Sequence, residues 1–376
     1  MGRIMQESAK DKTTFKEAPF LVIKGFLMGS ADIVPGVSGG TMALILGIYE
    51  RLLNAIKSVN GPFLKSFFTF KWKTAFKELH IKFLIFLFGG IFAALAFFTK
   101  VVPLQVYMFT HPEIVYGLFF GLILGSIYIL YKTLNEISWQ EILMSIVGVG
   151  IGLWIVSLVP ADTPENPAFV FLSGMISICA MILPGISGSY LLLIMRKYDY
   201  LLSNIGMIGG TETLDGIIGL LPFMLGAVVG LAAFSRFLSW LLGKYHSQTI
   251  SVLIGFLIGS LFVIWPYQNR EFVEQVRETV EIDYTSERAQ ELLNSEVNEN
   301  LPEYERVGKI INPESSFDEF KKIEVETVKK KMIKSKPFVP GISENSNPDT
   351  NVWGGVIGIL IGMMMVGGLD YLREKS

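Results

Sequence analysis

The sequence predicts an all-α polytopic membrane protein built of two inverted repeats, each a re-entrant helix hairpin plus three transmembrane helices. Three observations lead there. The chain is 51% hydrophobic, and its apolar residues gather into long uncharged runs that reach the roughly 18 residues a membrane span requires. Two of those runs are interrupted by the same pattern, Pro35-Gly36-Val37-Ser38-Gly39 and Pro184-Gly185-Ile186-Ser187-Gly188. The elements after each interruption then recur in the same order.

Residues 1–17 read as a mostly polar cytoplasmic tail, with no hydrophobic core and cleavage site of a signal peptide. Residues 18–159 form the first repeat. Its hairpin, 18–50, consists of two stretches (18–34 and 37–50) each too short to span on its own. A basic cytoplasmic loop follows at 51–82, with Arg51, Lys57, Lys65, Lys71, Lys73, Lys77 and Lys82. Three spans are expected at about 83–102, 114–131 and 141–159. The second repeat, 160–266, has its hairpin at 169–195 and two spans at about 216–235 and 250–266. A charged insert at 267–350 separates these from the last helix and a cytoplasmic C-terminus, 351–376. The insert, from Tyr267 to Thr350, holds 30 of the 66 Asp, Glu, Lys and Arg residues, so it should be a small extracytoplasmic domain, helical or partly unstructured. The net charge of −2 averages these two regimes and excludes little.

The duplication is visible residue by residue. Ala31-Asp32-Ile33-Val34-Pro35-Gly36 aligns with Ala180-Met181-Ile182-Leu183-Pro184-Gly185, and Tyr49-Glu50 with Tyr198-Asp199. Phe98-Thr99-Lys100 aligns with Phe234-Ser235-Arg236, and the run from Gly121 to Ser126 with that from Gly255 to Ser260. Topology follows from charge. Short basic loops stay inside, which places the N-terminal tail and residues 51–82 in the cytoplasm. Three full spans carry the chain outward to a loop, Pro160–Pro167, that has acidic but no basic residues. The second repeat therefore starts outside and runs in reverse, as in many secondary transporters whose site lies where broken helices meet.

Irregular backbone at membrane depth is tolerated where it is buried in protein or lines a wet cavity. Pro35 and Pro184 end the first half-helices, and Gly36 and Gly185 allow the turn. The second half-helices then begin with unsatisfied N–H groups at their positive ends. Around them stand Ser38, Gly39, Gly40 and Thr41 in one repeat and Ser187, Gly188 and Ser189 in the other. Such a set suits a phosphate or carboxylate; the alternative is a serine-capped kink with tight glycine packing. Arg51 and Arg196 flank the two hairpins and are the expected phosphate partners. Asp32 is an isolated carboxylate in an apolar half-helix, costly there and usually functional. It is the first candidate for binding a coupling proton or sodium ion, with Glu50 second, and its alternative role is to hydrogen-bond the loop around Ser38.

Other chemistry has little support. His80, His111 and His246 are scattered, and there is no Walker A, CxxC or GxSxG pattern. No metal, cofactor or nucleic-acid partner is expected. The lone Cys179 excludes an intrachain disulfide.

The segment Ala31-Asp32-Ile33-Val34-Pro35-Gly36-Val37-Ser38-Gly39-Gly40-Thr41, with Ile48-Tyr49-Glu50-Arg51-Leu52-Leu53 behind it, resembles the signature of the polyprenyl-phosphate transporter family. The resemblance runs from about Phe20 to Pro266 and includes the last span. It implies a transporter, not an enzyme, of the bacterial plasma membrane, whose partner is the lipid undecaprenyl phosphate. That lipid is returned from the outer to the inner leaflet for cell-envelope glycan synthesis. Ion-gradient coupling and a homodimer are both compatible with it. One rival is a polyprenyl-diphosphate phosphatase, which would want an arginine directly after the serine and a cluster of glutamates. Here Gly39 and Gly188 follow the serines. The other rival is a transporter or channel for a soluble anion.

Overall fold

The computed structural model describes the chain outside residues 1–12, 35–37, 60–62, 64, 67–68, 73–78, 135–136, 159–162, 211, 296, 300, 312–320, 344–349 and 376. Helices dominate. The order begins α1 (Ala18–Asp32), α2 (Gly39–Ile45), α3 (Tyr49–Lys57), α4 (Ile81–Lys100), α5 (Leu104–Thr110), α6 (Pro112–Thr133) and α7 (Trp139–Val156). It continues with α8 (Pro167–Ile182), α9 (Gly188–Ile194), α10 (Lys197–Gly206), α11 (Thr213–Lys244) and α12 (His246–Ile264). A sheet region holding α13 (Glu287–Asn294) precedes the last helix, α14 (Val352–Lys375).

Among the described residues, five helices, α4, α6, α7, α11 and α12, are long and apolar enough to cross a membrane. Their surfaces agree with lipid as the solvent: Phe92 on α4 is 65% exposed and Val228 on α11 is 64% exposed, in the middle of apolar faces that water would not tolerate. Local signals set several ends. Ser138 and Glu141 form a reciprocal capping box at the start of α7. Asn166 accepts the Phe169 N–H at 2.8 Å, with Pro167 in the first turn of α8. Helix α11 runs 32 residues, straight through Pro222, and so exceeds the expected 216–235 at both ends; a membrane helix tolerates an internal proline when its freed carbonyl finds other partners.

The chain divides into two compact units: Met1–Val102, Leu118–Ile264 and Ile359–Ser376 form the first, Pro103–Gly117 and Trp265–Gly358 the second. Within the first, helices meet where glycine lets backbones touch. A Cβ at Gly25 would stand 2.1 Å from the Leu87 carbonyl oxygen, and one at Gly90 2.1 Å from that of Val22, which locks α1 on α4. Helix α8 lies on α11 in the same manner, Gly174 against the Phe223 carbonyl at 2.3 Å and Gly226 against that of Phe171 at 1.9 Å. Gly148 and Gly255 bring α7 onto α12, and Gly121 and Gly362 bring α6 onto α14. Without a hydrophobic drive between helices in lipid, such close packing is what associates them.

The second unit corrects the all-helical expectation. Three antiparallel strands, β1 (Gln268–Asp283), β2 (Glu303–Ile311) and β3 (Lys322–Pro337), form a sheet in the order β1-β3-β2. Ile323 and Val325 of β3 pack with Ala289 of α13 in a small core walled by Ile282, Tyr284, Leu292 and Val307. The charged residues, expected in a helical or partly unstructured domain, instead pair across strands: Arg306 Nε donates to Glu326 at 2.8 Å, and Lys322 bridges Glu281 at 3.4 Å. In the same unit Trp265 Nε1 donates to the Phe338 carbonyl at 2.8 Å and Tyr267 Oη to the Val352 carbonyl at 2.8 Å.

Candidate functional site

Helices α1 and α8 contain 15 and 16 residues, about 22–24 Å at 1.5 Å per residue, short of a hydrocarbon core of about 30 Å. Each is followed by a seven-residue helix. Pro35 and Gly36 lie outside the described residues. Pro184 is buried and Gly185 takes φ +81°, the left-handed conformation a side chain would resist.

The two interruptions meet. Ser38 Oγ donates to the Met181 carbonyl at 3.2 Å and accepts the Gly40 N–H at 3.2 Å, capping α2. Thr41 Oγ1 accepts the Gly185 N–H at 2.9 Å, and Tyr49 Oη donates to the Ile182 carbonyl at 3.1 Å. Gly40 is there because a Cβ would reach to 2.6 Å from the Ile182 carbonyl oxygen. The residues of the first interruption thus serve the unpaired carbonyls at the end of α8. Gly39 directs its N–H to Asp32 Oδ1 at 2.6 Å, so a resident carboxylate sits at the positive end of α2. The side chain is otherwise exposed.

The second interruption is arranged differently. Met181 stands where the first has Asp32. Ser187 Oγ accepts the Tyr190 N–H at 3.4 Å and lies 2.9 Å from Ser189 Oγ, with Ser189 exposed. Gly188 is buried, its carbonyl accepting from Ser177 Oγ at 3.2 Å. Ser187 and Ser189 therefore present hydroxyls together, whereas Ser38 and Thr41 are committed to the protein.

The flanking charges divide. Arg51 is held away from the interruptions by Glu17 at 3.1 Å and Thr13 Oγ1 at 2.6 Å, with its guanidinium 4.8 Å from the Phe83 ring centre. Glu50 lies 3.4 Å from His246 Nε2, both well exposed. Arg196 opens α10 in the left-handed conformation, φ 49° and ψ 29°, at the position that corresponds to Gly47 with φ 65°. Two lysines escaped the sequence reading. Lys24 Nζ donates to the Leu46 carbonyl at 2.9 Å, at the negative end of α2. Lys197 is 1% exposed, bonded to the Thr163 carbonyl at 3.2 Å between the rings of Phe169 and Tyr200. Lys24 carried the signal that singled out Asp32, an isolated charge in an apolar half-helix. Lys197 carried none that set it apart from Arg196 beside it.

A helical protein with apolar spans and two abutting helix interruptions, one holding a carboxylate and one offering hydroxyls, has features of a membrane transporter. A family model described as undecaprenyl phosphate translocase-like matches residues 28–282, which span both interruptions. A protein of Vibrio cholerae serotype O1 (strain ATCC 39315 / El Tor Inaba N16961) named polyprenyl-phosphate transporter is 40% identical over 246 residues, 65% of this chain and 77% of that protein. One of Staphylococcus aureus (strain NCTC 8325 / PS 47) with the same name is 31% identical over 258 residues, 65% of this chain and 85% of its own length. No solved structure matches. The chain belongs to the undecaprenyl phosphate translocase-like family.

Proposed function

We propose that this protein moves polyprenyl phosphate, in bacteria undecaprenyl phosphate, from the outer to the inner leaflet of the plasma membrane. The observation that carries the reading is the pair of joined interruptions, with the paired hydroxyls of Ser187 and Ser189 at the start of a half-helix inside an apolar helical body. A phosphate headgroup needs such a site, while its isoprenoid tail remains in lipid. The proposed headgroup contacts are Ser187, Gly188 and Ser189, with Arg196 after the end of α9; Ser38, Gly39, Gly40 and Thr41, whose polar groups are bonded within the protein, act by bracing the end of α8 beside them. Arg196 is favoured by its backbone: a non-glycine residue is kept in a strained conformation where the other half has glycine, and such strain gathers at functional positions.

The proposed mechanism is alternating access between two inverted repeats. Gly25–Gly90 and Gly174–Gly226 are corresponding contacts under the alignment of the two halves, and Gly29 against Ala94 corresponds to Ile178 against Gly230. Gly121 lies against Ile359 as Gly255 lies against Ser145, which supports reading α7 and α14 as the third spans of the two repeats. In this reading 18–50 and 169–195 are re-entrant, both termini are cytoplasmic, and the sheet domain is extracytoplasmic. Bringing an anion inward against the membrane potential costs about 2.3 kcal/mol per charge per 100 mV. A proton or sodium ion on Asp32 would offset it, and Glu50 is the second candidate.

The phosphatase alternative is tested by incubating the purified protein with polyprenyl diphosphate. No inorganic phosphate should appear, and the monophosphate should compete for the same site. Steady phosphate release that is lost in Ser187→Ala would replace transport with hydrolysis.

A further inference from the structure

Strand β1 begins with a cation that forms no ion pair with any of the described residues. Arg270 lies with its guanidinium carbon 4.1 Å from the ring centre of Tyr116. Its Nη2 is fully buried and, among the described residues, has no hydrogen-bond partner. It is the one such side-chain atom among them. Tyr116 and Tyr267 are both 5% exposed. The carboxylate that bears on Arg270 is that of Glu113, in the first turn of α6, but the two form no ion pair.

An arginine keeps its charge when buried, and a buried donor without an acceptor is unfavourable. Burial pulls the Arg270 guanidinium below its ordinary pKa, against the pull of Tyr116 and Glu113. Its surroundings are nonetheless fixed. Arg270 pairs with Ser335 in the β1–β3 ladder, and Tyr267, three residues earlier, is pinned by its bonds with Val352 and Phe338. The close cation–π approach to Tyr116 holds the guanidinium in place, so that less freedom is lost when an oxyanion arrives. A preorganised guanidinium with an orphan N–H is half of a charge-assisted pair.

We propose that Arg270, backed by Tyr116, is a second anion-binding site, which takes a phosphate monoester. The choice of phosphate among oxyanions rests on the function proposed above; the site itself rests on Arg270. A lipid headgroup and free phosphate share this chemistry, and the probes separate them.

The test uses the purified full chain in detergent, titrated with inorganic phosphate, with a short-chain prenyl monophosphate and with the matching prenyl alcohol. Arg270→Met keeps length and apolar packing while removing the charge. It should weaken phosphate-probe binding about tenfold or more, leave the alcohol unaffected, and melt no lower than the parent when no ligand is present, since replacing a buried charge by an apolar isostere is often neutral or stabilising. Prenyl phosphate binding more tightly than inorganic phosphate identifies a headgroup site; equal binding identifies a free-phosphate site. Should Arg270→Met not fold, Arg270→Lys, which loses the fork, should show the same loss. Ser187→Ala/Ser189→Ala tests the other site independently. Unchanged binding of both phosphate probes in the Arg270 variants would overturn the proposal while leaving the transporter reading intact.

Discussion

Replacing Arg196 with glycine should separate stability from function. The residue holds φ 49° and ψ 29°, where a side chain costs about 1–2 kcal/mol; glycine has no such cost but loses about 0.5–1 kcal/mol more conformational entropy on folding. The net change is a gain of between about 0 and about 1.5 kcal/mol in stability. The guanidinium is lost at the same time. If it contacts the phosphate, a charge-assisted hydrogen bond of about 1.5–3 kcal/mol goes with it, so headgroup affinity should fall about tenfold to about 150-fold. Thermal unfolding in detergent and titration with a short-chain prenyl monophosphate read the two effects separately. Arg196→Lys keeps the charge and the strained backbone, and should bind more weakly than the parent at unchanged melting temperature. Lys244→Ala, which only removes an ammonium above the rings of Trp240 and Tyr245, should alter neither. Arg196→Gly that binds within about twofold of the parent, against the range above, refutes the phosphate contact; a marked loss of stability refutes the strain argument.

Asp32→Asn retains an acceptor oxygen for the Gly39 N–H and should fold and bind lipid, yet lose its response to an imposed proton or sodium gradient; normal gradient dependence would leave Asp32 only its hydrogen bond. Gly40→Ala pushes a methyl against the Ile182 carbonyl at 2.6 Å and should abolish transport and lower the melting temperature. Gly89→Ala, on α4 with nothing within 4 Å of the new methyl, should do neither. Single cysteines at Lys71 and Glu165 in a Cys179→Ser background should label from opposite sides of the membrane, and labelling of both from outside contradicts inverted topology.

Much of the helical body is legible in the sequence because lipid imposes a strict rule on it: spans must be long and apolar, and departures stand out. The helix starts at Ile81, Pro112, Trp139 and Val352 fall within two residues of the expected spans. What periodicity missed was the turn at Gly47, which cuts the expected stretch 37–50, and the separate helices α3 and α10 that follow Gly47 and Arg196; only a comparison of the two halves marks those two positions as equivalent. The sheet was missed because Glu and Lys dominate β1 and β3, and their pairing is a property of the partner strand, not of either run alone. In the site, Asp32 and the serines announced themselves as polar residues in apolar segments. Their division of labour did not: Asp32 closes on Gly39, Ser38 and Thr41 face α8, and Arg51 turns to Glu17, all contacts between residues distant in sequence or set by backbone direction.

The most direct test of the account is reconstitution of the purified protein into liposomes carrying undecaprenyl phosphate, with a reagent confined to one side that reports the leaflet holding the headgroup. The account predicts that lipid sealed in the far leaflet becomes accessible only in vesicles containing the protein, and that Ser187→Ala/Ser189→Ala slows this exchange. Lipid that stays in its leaflet while inorganic phosphate crosses the same vesicles would contradict it.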